Sequence, residues 1–193
     1  MTTAEAITAV KNRANIVVSD FDTQLTDFFD TAVDRLYPKI QKEVAAQEKA
    51  VTVDDYGEAT VDLSTLTTPL DDVRLVEATK GAAWYPADDI YRHGTILRVR
   101  DLESTVTSLK LYGLKAYVVS TAAVDLPERY ELPVVWFMLS EFFDMLAGNK
   151  SKFNTYQQSA GGNAVDDMRA ESEYYENKAN AYLDEKATLY GSQ

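Results

Sequence analysis

Two carboxylates stand close together near the N-terminus, in Asn15-Ile16-Val17-Val18-Ser19-Asp20-Phe21-Asp22-Thr23. Asp20 and Asp22 follow an apolar run, and paired carboxylates at the end of a strand can supply a nucleophile, an acid–base group or a Mg²⁺ ligand. The same residues suit a simpler role. The side chain of Asp22 or Thr23 can accept a hydrogen bond from a backbone N–H at the start of a helix. The single histidine, His93, follows Asp88 and Asp89 in a turn, and imidazole beside carboxylates could bind metal or move a proton. A lone histidine in a turn is more often solvated. The pairs Asp54-Asp55, Asp71-Asp72 and Asp166-Asp167 lack the loop spacing and terminal Glu of an EF-hand. The first two suit turns, and the third suits a helix N-terminus, where negative charge is favoured. No metal and no cofactor are expected.

The Asp-x-Asp-x-Thr pattern resembles the first motif of haloacid-dehalogenase-type phosphatases, and Ala116-Tyr117-Val118-Val119-Ser120-Thr121 imitates the second. That resemblance would make Asp20 the nucleophile toward phosphorus and Asp22 the acid–base partner, with Mg²⁺ between them. Such an enzyme should continue as alternating strands and helices in a parallel sheet. Everything after Pro133 instead reads as helix, so the cap is the preferred reading and the phosphatase an alternative.

The elements around these residues fall into three blocks. Thr3–Ala14 carries Ala6, Ile7, Val10 and Ala14 at helical spacing, and a longer helix is expected from Asp22 or Thr23 to about Gln47, kinked at Pro38. From Val51 to about Pro127 the helical period disappears. Short runs at Ala59–Leu63, Val73–Val76, Thr95–Arg100, Ser108–Tyr112 and Leu114–Val119 read as strands, with turns at Tyr56-Gly57, His93-Gly94 and Tyr112-Gly113. Helices return with Pro133 as a first helical residue, an apolar segment Val134–Leu146, a stop at Gly148-Asn149 and a stretch Lys150–Ser159. The last helix is expected over Ala164–Tyr190, with a thin, tyrosine-rich stripe and a length of about 40 Å. The expected fold class is α+β: a mainly α-helical bundle from residues 1–50 and 128–193, with a small antiparallel β module, 51–127, inserted.

The chain of 193 residues has a formal charge of −12 and no cysteine. Acid outweighs base in each of the segments 1–50, 51–127, 128–163 and 164–193, so no basic stripe for phosphate binding is visible. No signal peptide and no membrane span is read from the sequence. Tyrosine and tryptophan bury large area while keeping a polar handle, which makes Tyr174, Tyr182, Tyr190, Trp84 and Tyr85, with Leu183, candidates for a subunit or partner interface.

The layout resembles the head–tail adaptor (connector) proteins of tailed phages, including the tail tubular protein A type. The likeness is carried by Asp22-Thr23-Gln24-Leu25 into Ala32-Val33-Asp34-Arg35-Leu36, by Ser108-Leu109-Lys110-Leu111-Tyr112, and most by Asp125-Leu126-Pro127-Glu128-Arg129-Tyr130 before the helix Val134–Leu146. Lys152-Phe153-Asn154-Thr155-Tyr156-Gln157 then precedes the terminal helix Asp166–Glu185. The resemblance implies a non-enzymatic virion protein of the neck, assembled in the host cytoplasm. It implies a ring of about twelve copies bound to the portal protein, with a tail, nozzle or tail-terminator protein on the other side. DNA would pass through its channel without specific binding, and an acidic lining would repel the phosphate backbone. Another neck or tail-completion ring is the nearest alternative.

Overall fold

Thr2 opens the first helix by a reciprocal cap, its hydroxyl accepting the Glu5 N–H at 3.2 Å while its own N–H donates to the Glu5 carboxylate at 2.7 Å. This helix, α1 (Thr3–Ala14), buries Ala6, Val10 and Ala14 and ends at Asn15 in the left-handed region. The computed structural model describes the backbone of residues 1–190 and side chains as far as Glu185. Two units divide it: residues 1–40 with 116–193, and residues 41–115.

The first unit is helical. Its second helix, α2 (Asp22–Asp34), starts behind Phe21, which is buried and gives no side-chain cap. The expected cap at Asp22 or Thr23 is therefore corrected: Asp22 lies in the first turn and pairs with Lys11 at 2.8 Å. The helix expected to reach about Gln47 stops at Asp34, four residues before Pro38, whose ring would clash with the carbonyl of that residue. A 3-10 turn at Glu128–Tyr130 leads into α3 (Glu131–Gly148), which is buried nearly all round. Pro133 is third in this helix rather than first, a position whose N–H would have no intrahelical partner in any case. Asn149 ends α3 and its side chain caps α4 (Lys150–Ala160) by accepting the Lys152 N–H at 3.1 Å. The last helix, α5 (Met168–Tyr190), begins four residues later than expected because the Asp167 carboxylate accepts the Ala170 N–H at 3.0 Å. At 1.5 Å per residue it spans about 35 Å.

α3 is the centre of this unit. Val134, Phe137, Met138, Phe142 and Leu146 meet Val10 of α1, Leu25 and Phe29 of α2, Tyr156 of α4 and Met168, Ala179 and Leu183 of α5 in one core. Phe142 stands edge-on to Phe21, Phe143 and Tyr156. Arg35, just past α2, ties three helices together: its guanidinium reaches Glu141 of α3 at 3.2 Å and Glu176 of α5 at 3.5 Å and lies over Phe137.

The second unit is all-β and antiparallel. In chain order its strands are β1 (Lys42–Ala50), β2 (Ala59–Asp62), β3 (Asp72–Lys80), β4 (Ala83–Pro86), β5 (Ile90–His93), β6 (Ile96–Val99) and β7 (Ser108–Lys115). They form a four-stranded sheet, β1-β7-β3-β4, and a three-stranded sheet, β2-β6-β5. Val61, Leu97 and Val99 of the smaller sheet share a core with Val76, Ala78, Leu109 and Leu111 of the larger. The expected turn at Tyr112-Gly113 is instead the middle of β7, which runs through Gly113 to Lys115. Residues 116–119 are not strand, and Tyr117 and Val119 pack on the helical core. The β unit thus spans 41–115, where the sequence suggested 51–127. The fold is α+β, a helical body from both ends of the chain carrying an inserted antiparallel module.

Candidate interaction surface

The tyrosines of α5 divide by their angle around the helix. Ser172, Ala179 and Leu183 form the buried line, so Leu183 is core and unavailable to a partner, which corrects its place among the interface candidates. On one flank of that line, Glu176, Asn180 and Asp184 face the chain that follows α2, where Lys39 binds Asn180 at 3.3 Å and Asp184 at 2.8 Å. On the other flank stand Tyr174, Lys178 and Tyr182.

Tyr182 is half-buried, edge-on to Trp136 at 5.7 Å, and donates its hydroxyl to the Arg129 carbonyl at 2.9 Å. It is chiefly an intramolecular anchor for the turn before α3. Tyr174 is 54% exposed and stands edge-on to Tyr175, which stacks on Phe143 at 5.9 Å. Lys178 lies 4.9 Å from the Trp136 ring centre and 5.2 Å from that of Tyr174, and donates to the Tyr174 hydroxyl at 3.2 Å. The ammonium thus bridges the Trp136 ring and the exposed Tyr174, and a cation–ring contact at an exposed site is worth about 0.5–1 kcal/mol. Leu132, one turn before Trp136 on α3, is 41% exposed. The sequence reading missed Lys178 and Trp136, although the i, i+4 spacing of Tyr174, Lys178 and Tyr182 carries the signal. The Tyr190 side chain lies outside the described residues. Burial pushes the phenols of Tyr156 and Tyr175 above their ordinary range, and the Glu171 carboxylate adds to the shift at both.

The β-unit candidates are already engaged. Trp84 is half-buried beneath the Lys110 ammonium, 4.4 Å from its ring centre, and Tyr85 packs against the β core. A hydrogen bond from the Tyr112 hydroxyl to Glu77, 2.7 Å long, raises the Tyr112 pKa.

The chain matches no protein-family model and no curated protein sequence.

Asp20 and Asp22 are not at the tip of a strand. They flank Phe21 at the start of α2, in a unit whose other main elements are helices. His93 ends β5 at the surface. Asp54 accepts the backbone N–H groups of Tyr56 and Glu58 at 2.9 and 2.8 Å, as a turn residue does. Among the described residues no group of three or more His, Asp or Glu side chains is placed to hold a metal ion, and no helix is long and apolar enough to cross a membrane. A cleft of about 730 Å³ lies between α1, Ile16-Val17 and the end of α4. The Val17 N–H donates to Ser159 there at 3.0 Å, and Lys11 and Asp22 pair at its edge.

Proposed function

We propose that this protein is a structural head–tail adaptor of a tailed phage, a ring-forming subunit that joins the portal to the tail and extends the DNA channel. The observation that carries this reading is the construction of the helical unit. Both chain ends build one body around α3, which is entered through the Asp125–Tyr130 turn, and the β unit is inserted between α2 and α3. That is the layout expected from the resemblance. The charge of −12 agrees with a channel wall that must let DNA slide, because each phosphate gripped by a cation adds affinity that would stall passage. A ring of about twelve copies needs different faces of one subunit to meet, and the helical unit exposes two unlike ones, the Tyr174 and Lys178 flank of α5 and the acidic face of α2.

The reading assigns the protein to the virion neck, with the portal protein and a tail-side protein as neighbours and no chemical step of its own. Electron microscopy of purified particles, with labelled antibody against this chain, tests it. Label at the neck on a ring of subunits is the expected result. A protein absent from particles overturns it, and label at another tail ring moves the assignment to that ring.

A further inference from the structure

The two flanks of α5 differ in what they lack. Glu176 and Lys178 are two residues apart, which on an α-helix is about 200° of rotation, so they point to nearly opposite sides. The Glu176 flank is closed by Arg35 and Lys39 from the α2 side of the molecule. The Lys178 flank is open: the ammonium touches Trp136 and Tyr174 and meets no carboxylate among the described residues.

α2 has the complementary deficiency. Its solvent-facing positions are Thr23, Thr26, Asp27, Asp30, Thr31 and Asp34, and the carboxylates of Asp27, Asp30 and Asp34 meet no cation among the described residues. Carboxylates three and four apart on one helix face repel each other, and a cation from outside relieves that repulsion. The open cation therefore lies on the side of α5 turned away from the Arg35 and Lys39 contacts, and the open carboxylates lie on the solvent face of α2, so the two patches are separate surfaces of one unit. A body with complementary patches on two different surfaces associates head to tail, the mode of contact a ring requires and one that closes when the rotation between copies returns to the start.

We propose that the Tyr174–Lys178–Trp136 face of one copy docks on the Asp27–Asp30–Asp34 face of α2 in the next copy. This contact rests on the ring reading above and names its residues. Tyr174, in contact with Tyr175 and Lys178, supplies the aromatic anchor, and Lys178 reaches the carboxylates of the neighbouring α2. Leu132 supplies apolar area at the edge. Such a contact weakens as salt rises, because its ion pairs form at a partly solvated rim.

The absence of native cysteine makes the test direct. Thr31→Cys places a thiol among the three aspartates, and Ala181→Cys places one on an exposed site next to Lys178 and Tyr174. Oxidation of the doubly substituted protein is expected to give a ladder of trimers and larger species. Neither single variant can pass the dimer, since each chain then has one thiol. Lys178→Glu in the double-cysteine background should lower the ladder yield about tenfold, and adding Asp30→Lys should restore much of it. Sedimentation of the parent protein separates the two readings. Closed oligomers without a ladder overturn this contact and leave the ring standing. A monomer without a ladder also overturns it, and particle microscopy then decides the ring by itself.

Discussion

At Gly113 a missing methyl group lets two strands pass. A Cβ there would collide with the Asp72 carbonyl oxygen and come within 2.9 Å of Leu70 Cδ1. The obstacle is backbone, which cannot rotate away, and the register between β3 and β7 already shifts at this point. Gly113→Ala should cost about 2–3 kcal/mol of β-unit stability, measured by urea unfolding followed by circular dichroism. An unchanged midpoint would show that β3 can yield. A second residue-scale prediction concerns Ser140 and Ser172, whose hydroxyls meet at 3.2 Å in the α3–α5 interface. Ser140→Ala alone leaves the other hydroxyl buried without this partner and should cost about 1–2 kcal/mol. The double alanine variant should cost clearly less than the two single changes added together, because no orphan remains. Additive losses in that cycle would mean that the two serines do not depend on each other.

Tyr156 links α4 to the rest of the helical unit, since its ring packs on Phe142 and Phe143 and its hydroxyl accepts the Val165 N–H at 3.3 Å. Burial raises its pKa above the ordinary 10.0, with Tyr175 shifted the same way. For a group whose folded pKa is raised, the stabilising effect is complete below the unfolded value and fades as pH climbs through the folded one. The helical unit should therefore lose thermal stability above about pH 10, and Tyr156→Phe should flatten that loss. At neutral pH the same variant should cost about 1 kcal/mol, because the Val165 N–H loses its partner. An equally steep alkaline decline in the phenylalanine variant would remove Tyr156 from the explanation. Element identity was legible where apolar residues and stop signals agree: α1 stands where its buried residues recur at helical spacing, and α3 where an apolar run is bounded by Pro133 and Gly148-Asn149. β1 was not. Its sequence, Lys-Glu-Val-Ala-Ala-Gln-Glu-Lys-Ala, is made of residues that suit helices, none of it is fully buried, and the irregularity between Val44 and Gln47 breaks its alternation. Pairing with β7 overrides that preference, and such pairing is invisible from within the segment. The interface candidates separate for a similar reason. Leu183 sits four residues after buried Ala179, at the centre of the stripe, whereas the engagement of Tyr182 depends on Trp136, which belongs to another helix.

At the scale of the whole chain, the β unit is an insertion whose two ends meet. Lys42 pairs directly with Lys115 across β1 and β7, and antiparallel partners have Cα atoms about 5 Å apart. The chain therefore leaves and re-enters the helical unit through neighbouring points, and residues 41–115 hold a core of their own. Such an insertion can be excised without opening the helical core. A variant joining Ile40 to Ala116 through a short Gly-Ser linker should keep its helical circular dichroism and unfold cooperatively, while the isolated segment 41–115 should show a β spectrum. Because the proposed contact uses only α2, α3 and α5, the shortened chain carrying Thr31→Cys and Ala181→Cys should still give the oxidative ladder. If it folds but gives no ladder while the full-length chain does, the β unit takes part in the contact between copies, and the ring cannot be a property of the helical body alone.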